Sequence, residues 1–220
     1  MDYIELWTVC SANNIVLEKE QIWQIERYHQ ELLYWNEKVN LISRKDEQNL
    51  LERHILHSLS VIKYFEMPFK ARVLDIGTGG GFPGLPLAIA RPDIYATLID
   101  SISKKIKITD MFAKHTGIKS IKTMATRAEE MQGSGKYDKQ FDVIVSRAVA
   151  KIPSIISWVI RMIKPGGTII LWKGGDISEE IESALMQFKK LEIKVQGIDL
   201  LGVDYFKNED KKLVFCKFRN

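Results

Sequence analysis

The sequence predicts an α/β fold: a mostly parallel, seven-stranded sheet flanked by helices and carrying a helical cap at its N-terminus. Three observations predict it. Apolar residues in the first ~65 positions recur every three or four residues, the period of a helix face. Beyond Pro68, short β-rich runs alternate with helical segments, as βαβ units do. Two final β-rich runs have no helix between them. Residues 1–68 are thus expected to form the cap and residues 69–220 the sheet domain. With 220 residues, 45% hydrophobic and 27% charged, the composition is that of an ordinary globular core.

In the cap, Ile22, Ile25, Tyr28, Leu32, Trp35 and Val39 share one face of an amphipathic helix starting near Glu18. Leu51, Ile55, Leu59 and Ile62 form a second such face. Ser43 followed by Asp46 reads as a capping box ahead of it, and Pro68 closes it, since the residue before a proline avoids helical dihedrals. Strands are expected at residues 72–77, 95–100, 120–124, 141–146 and 168–172, and helices at 84–90, 103–116, 153–163 and 178–190. Residues 193–199 and 212–218 complete the sheet as an antiparallel pair, across a loop long for a hairpin. Trp23, Trp35 and Trp158 fall at helical spacings and are expected in the core.

Net charge is +4, unevenly spread. Residues 1–70 hold 8 Lys+Arg against 11 Asp+Glu, whereas residues 101–127 hold six lysines and one arginine against the single acid Asp110. That stretch suits a polyanionic partner, and equally a solvated lysine face. Two cysteines, Cys10 and Cys216, fit a reducing compartment better than a disulfide scaffold. The opening Met1-Asp2-Tyr3-Ile4-Glu5 shows no basic stretch ahead of an apolar one. The longest apolar run, near residues 152–160, is too short for a bilayer. A soluble, cytoplasmic, monomeric protein is expected, with no membrane partner and no metal, because four scattered histidines complete no ligand set.

The densest local signal is Val73-Leu74-Asp75-Ile76-Gly77-Thr78-Gly79-Gly80-Gly81-Phe82-Pro83-Gly84. A strand carries an acid near its end, and a glycine-rich turn leads into a helix. Glycines there let the backbone turn tightly and approach a ligand with no Cβ in the way. The helix N-terminus offers unpaired N–H groups to an anionic part of that ligand. A dinucleotide fingerprint would read Gly-x-Gly-x-x-Gly; here Gly77, Gly79 and Gly81 alternate, and Asp75 precedes them. Asp100, closing the second strand, is placed to hold ribose hydroxyls for either kind of nucleotide. The acidic-x-Gly-x-Gly-x-Gly form resembles the first motif of class I S-adenosylmethionine-dependent methyltransferases. That resemblance implies a Rossmann-like domain with S-adenosylmethionine as cofactor.

Absences narrow the acceptor. After the fourth strand stands Ser146-Arg147-Ala148, not the Asn/Asp-Pro-Pro-Tyr/Phe typical of methylation at exocyclic amines. Neither cysteine follows a core strand of the glycine-rich domain, as a nucleophile for pyrimidine C5 chemistry would. Arg147 lies at the carboxyl end of its strand, where open α/β sheets place active sites. It stays protonated and so is no general base, yet it can fix a phosphate or a guanine edge. An acceptor with its own lone pair, such as an aromatic ring nitrogen, fits.

The set formed by Tyr34-Trp35-Asn36 through Asn40-Leu41, Arg53-His54-Ile55-Leu56, the glycine loop, Leu98-Ile99-Asp100-Ser101, Arg127-Ala128-Glu129, the run from Phe141 to Ala148, and Lys173-Gly174 resembles a known family. It is that of bacterial ribosomal RNA small subunit methyltransferase G, also called glucose-inhibited division protein B. The resemblance runs from about residue 20 to about residue 175. It implies methyl transfer to N7 of a guanine in the 530 loop of 16S rRNA, with 16S rRNA or the 30S subunit as partner. It implies cofactor contacts at Gly77, Phe82, Ala128, Glu129 and Arg147, beside Asp75, Gly79, Gly81 and Asp100 of the class I motif, while the catalytic place expected for Arg147 rests on its position at the strand end. Arg53, His54, Lys104, Lys105, Arg147 and Lys173 are expected to meet RNA. The family usually reads Arg-His-Ile-Leu-Asp-Ser where this chain has His57 before Ser58, so no carboxylate at that position orients Arg53 or His54.

Plainer readings stand beside these. Asp75 and Asp100 are also suited to capping helices, and Arg53 and His54 to a solvated face and a buried imidazole. Lys104, Lys105 and Lys107 also suit a wet helix surface. A methyltransferase for a small molecule or a protein, and a non-catalytic RNA-binding factor, are the two other functions the sequence leaves open.

Overall fold

The computed structural model describes residues 1–219. The strands are β1 (Arg72–Ile76), β2 (Tyr95–Asp100), β3 (Ile121–Ala125), β4 (Phe141–Arg147), β5 (Ile163–Gly174), β6 (Leu191–Gly197) and β7 (Lys211–Phe218). They form one sheet in the order β3-β2-β1-β4-β5-β7-β6. β1 to β5 are parallel, and β7 runs antiparallel between β5 and β6. The chain winds outward from β1 through β2 and β3, then returns to place β4 on the other side of β1. Such a reversal opens a crevice at the carboxyl ends of the two central strands.

The helices are α1 (Tyr3–Ala12), α2 (Lys19–Asn36), α3 (His57–Leu59), α4 (Val61–Tyr64), α5 (Gly84–Ala90), α6 (Ser103–His115), α7 (Ala128–Gly133), α8 (Ile152–Val159), α9 (Ser178–Gln187) and α10 (Tyr205–Asn208). Side chains alternate along each strand, so Val73 and Leu74 enter different layers. On one side, Leu6, Ile25, Tyr28, Leu32, Leu56 and Leu59 share a single buried cluster with Val73, Leu98, Val145, Trp172 and the whole apolar face of α5. On the other, Leu74, Ile144 and Leu171 pack against Met131, Ile155, Val159 and Ala184 from α7, α8 and α9. The first of these clusters runs across Pro68 without a break. Cys10 and Cys216 are free and buried in different clusters, and burial pushes both thiols up to about 12.

Several expected boundaries move. α2 stops at Asn36, short of Val39, because the Asn36 side chain turns the chain back. Its oxygen accepts the N–H groups of Leu41 and Ile42 at 2.8 and 2.9 Å, and its amide donates to Glu47 at 2.7 Å. The expected second helix is broken into a 3-10 turn (Arg44–Asn49), a π-helical turn (Leu51–Leu56), α3 and α4. Ser43 makes no side-chain cap, since the Asp46 carboxylate turns toward Arg53 and His54 instead. Helix ends at Tyr64, well before Pro68, as Phe65 becomes extended and stacks on Phe215. β5 begins at Ile163, not Thr168, because a register shift opposite Phe141 and Val143 absorbs the Pro165-Gly166-Gly167 segment. α8 ends earlier in consequence. α7 and α10 are short and were not anticipated, and Trp23 is exposed where a core position was expected. Among the described residues, no helix is long and apolar enough to cross a membrane.

Candidate active site

The site grows from the loop joining β1 to α5. Gly77, Gly79 and Gly81 take φ of +67°, +56° and +111°, which side chains resist. The loop is tied down on every side. Gly79 N–H donates to Asp100 Oδ2 at 3.0 Å, the Thr109 hydroxyl donates to the Gly79 carbonyl at 2.9 Å, and the Tyr28 hydroxyl donates to the Gly80 carbonyl at 2.7 Å. Thus α2 and α6 both hold the loop that β1 launches.

Over it lies a cavity of about 420 Å³, of small-molecule size. Of the expected cofactor residues, Gly77, Gly79, Phe82, Asp100, Ala128, Glu129 and Arg147 line it. Asp75 and Gly81 do not. Gly81 faces Tyr28 and Leu85. Asp75 is fully buried beneath the loop, where its Oδ2 accepts the Gly84 N–H at 2.9 Å. It takes up the first N–H of α5, as in the plainer reading. The start of α5, where the sequence predicts an anion seat, is therefore closed by protein groups.

Burial pushes the Asp75 carboxyl up to about 7, against the pull of the Gly84 N–H. Unfolded, the same group titrates near 3.9, approximately. Between those values the native state holds a proton the unfolded chain has released, so stability falls as pH rises toward 7. Asp75→Asn keeps an acceptor for Gly84 and removes the charge. The substitution is expected to raise the melting temperature more at pH 8 than at pH 5. An equal change at both would refute the raised carboxyl.

Alternation along β4 turns Val143 and Val145 into the cluster shared with the N-terminal helices, and Arg147 follows them at the cavity. Its Nη2 lies 2.7 Å from His54 Nδ1, and Nη1 reaches the carbonyls of Arg53 and His54 at 3.4 and 3.3 Å. Its guanidinium carbon sits 4.8 Å from the centre of the Phe82 ring, a cation–π contact. Burial draws the guanidinium down to about 10, leaving it charged at neutral pH. Burial, aided by the Arg147 charge and opposed by Asp46, brings His54 down to about 4, so the imidazole is neutral.

The expected RNA residues separate. His54 and Lys105 line the cavity with Arg147. Arg53 instead pairs with Asp46 at 3.0 Å and lies over the Tyr205 ring. Lys104 is exposed on α6, outside the lining. Lys173 lies apart from these: only 14% exposed, it donates to the Ala150 carbonyl at 2.8 Å and pairs with Glu180 at 2.7 Å. Glu180 also accepts the Ile152 N–H, so this pair pins the loop after β4 to α9 and lies outside the cavity lining. His57 packs against Phe206, and the carboxylate holding Arg53 and His54 is that of Asp46.

Leu41, Ile42, Thr126, Val149 and Trp158 also line the cavity and were not nominated. Asn36 delivers Leu41 and Ile42, a link hinted at by the Tyr34 to Leu41 motif. Trp158 has an apolar spacing that reads alike for a core position and a cavity wall.

A family model described as rRNA small subunit methyltransferase G matches residues 21–212. Ribosomal RNA small subunit methyltransferase G of Chlorobium phaeobacteroides is 40% identical over 181 residues, covering 82% of this chain and 79% of that protein. The Flavobacterium johnsoniae protein of that name is 44% identical over 168 residues, covering 72% and 78%. Among solved structures, a SAM dependent methyltransferase from Aquifex aeolicus superposes with a TM-score of 0.59 at 16% identity, covering 79% of this chain and 94% of that one. Aeropyrum pernix fibrillarin, solved with natively bound S-adenosyl-L-methionine, gives 0.56 at 14% identity and 74% of each chain. The superpositions show a class I methyltransferase fold, and the sequence matches go further: the chain belongs to the rRNA small subunit methyltransferase G family.

Proposed function

We propose that the protein transfers a methyl group from S-adenosylmethionine to N7 of a guanine in the 530 loop of 16S rRNA. The donor, when bound, supplies an electrophilic methyl carbon on a sulfonium sulfur. The residues present fit it. The glycine loop forms a cradle in which a Cβ at Gly77 would run into Val149. Asp100 at the end of β2 is placed for ribose hydroxyls, with Ala128 and Glu129 across the same cavity.

The observation that carries the reading is the group at the end of β4. A cation stands where an acceptor needing deprotonation would require a base, and the imidazole beside it has its lone pair engaged by that cation. Guanine N7 carries its own lone pair and needs no base. Catalysis then rests on alignment, which can contribute up to about 7–11 kcal/mol in ideal cases. Extruding the base from its stack costs a few kcal/mol, approximately. Lys105 and Arg127 at the cavity, with Lys104 and Lys107 exposed beside it, supply positive charge for an RNA backbone.

The test is transfer of tritiated methyl from S-adenosylmethionine to unmethylated 30S subunits and, in parallel, to free 16S rRNA, followed by nucleoside analysis. Label in 7-methylguanosine within the 530 loop is expected. Label in another nucleoside or in protein, or no label while the donor still binds, would overturn the reading.

A further inference from the structure

Arg147 is not free to choose its orientation. A guanidinium has only hydrogens to give, so the His54 Nδ1 lying 2.7 Å from its Nη2 presents a bare lone pair. The imidazole proton therefore sits on Nε2, which lies 3.6 Å from Asp46 Oδ2. The other Asp46 oxygen takes Arg53 Nη1 at 3.0 Å. Arg147 Nη1 meanwhile reaches two carbonyls of the π-helical turn, a backbone form frequent at functional sites. Residues 46–54, Phe82 and the end of β4, far apart in sequence, thus meet at one guanidinium.

We infer that Asp46 and His54 are positioning residues: Asp46 selects the His54 tautomer, and His54, acting as an acceptor for Arg147, locks that guanidinium over Phe82. His54 is therefore not an RNA contact. The inference rests on Arg147 serving the methyl transfer proposed above. Its physical core is a clash of donors. If the imidazole proton moved to Nδ1, two N–H groups would face each other across 2.7 Å and the guanidinium would swing away from the ring. Asp46 makes no direct contact with Arg147 and reaches it through this imidazole and through Arg53, whose carbonyl accepts from Arg147 Nη1. The arrangement parallels the way a carboxylate fixes the tautomer of a metal-bound histidine. Only 15% of the His54 side chain is exposed, which leaves little of it for RNA.

Two measurements test the lock. Nitrogen-15 spectra of the full-length protein without donor should show His54 with an unprotonated Nδ1 and a protonated Nε2, and Asp46→Ala should shift the population toward protonated Nδ1. A wild-type ring protonated at Nδ1, or one indifferent to Asp46, overturns the proposal. Kinetics then compare His54→Asn, which keeps an acceptor near the Nδ1 position, with His54→Leu, which keeps bulk alone. His54→Leu is expected to lose about 10–100-fold in kcat with KM for the RNA and donor affinity little changed, and His54→Asn to recover most of the loss. A raised KM with no rescue by Asn would make His54 an RNA contact. Leu outperforming Asn would make its role packing. Should the wild-type protein label a different acceptor, the proposed function fails while the spectra, and the Asn-over-Leu order on that acceptor, still judge the lock.

Discussion

Replacing Arg147 by alanine is expected to lower kcat for methyl transfer by about 10²–10³, the loss typical of removing a preorganised polar group from a reaction centre. The guanidinium lies over Phe82 at the carboxyl end of β4, lines the cavity and remains charged. In the proposed reaction this guanidinium fixes the acceptor's edge or phosphate relative to the methyl group. The fold should survive. His54 Nδ1 and two carbonyls lose a donor, a cost of about 1–3 kcal/mol. Lysine is no substitute, since an ammonium cannot lie flat over Phe82 while donating to both His54 and the π-helical turn. Arg147→Lys is therefore expected to lose more than about tenfold, a charge alone being insufficient. Single-turnover methylation and thermal melts on the same preparations measure both halves. A folded Arg147→Ala protein that methylates at the wild-type rate would remove this residue from the mechanism.

Gly84→Ala should lower stability through overpacking. A Cβ there would lie 2.7 Å from Asp75 Oδ2 and 3.0 Å from both Asp75 Cβ and Leu98 Cγ. None of these can retreat cheaply: Asp75 is fully buried and Leu98 is in the core of β2. Overpacking of this kind costs about 1–3 kcal/mol. For a chain of this size that is a fall of roughly 2–12 °C in melting temperature. The displaced Asp75 would also release the Gly84 N–H and loosen the turn above it, so donor affinity should fall as well. Calorimetric titration with S-adenosylmethionine and thermal melts report the two effects. An unshifted melt would show that α5 can slide away from β1, contrary to the packing described.

The alternation of strands and helices was legible because the periods of the two element types differ, and all seven strands fall near their expected places. What escaped was whatever depended on distant partners. α7 offers only Ala128 and Met131 as buried residues, too few to mark a helix. The Pro165-Gly166-Gly167 segment reads as a turn, yet register with Phe141 draws it into β5. The glycine loop was found from its spacing, and Arg147 from its place at a strand end. Asp75 shows the limit. Its position on β1 was clear, but which layer it entered depended on how the N-terminal helices fold over the sheet. Ser43 and Asp46 read as a capping box, whereas the partners of Asp46 are Arg53 and His54 in the next turn, which reach the cavity only through folding. Lys173 stood at a strand end beside glycines, and the carboxylate of Glu180 that neutralises it comes from the following helix.

The roof of the cavity has a practical corollary. Leu41 and Ile42 come from the segment that follows α2, and the Asn36 side chain accepts the N–H groups of both. An inhibitor that reached past the nucleotide seat to grip those two aliphatic side chains would exploit a surface that the sheet and its glycine loop do not themselves supply. Selectivity among enzymes sharing one donor should then be sought at the lid and not at the loop.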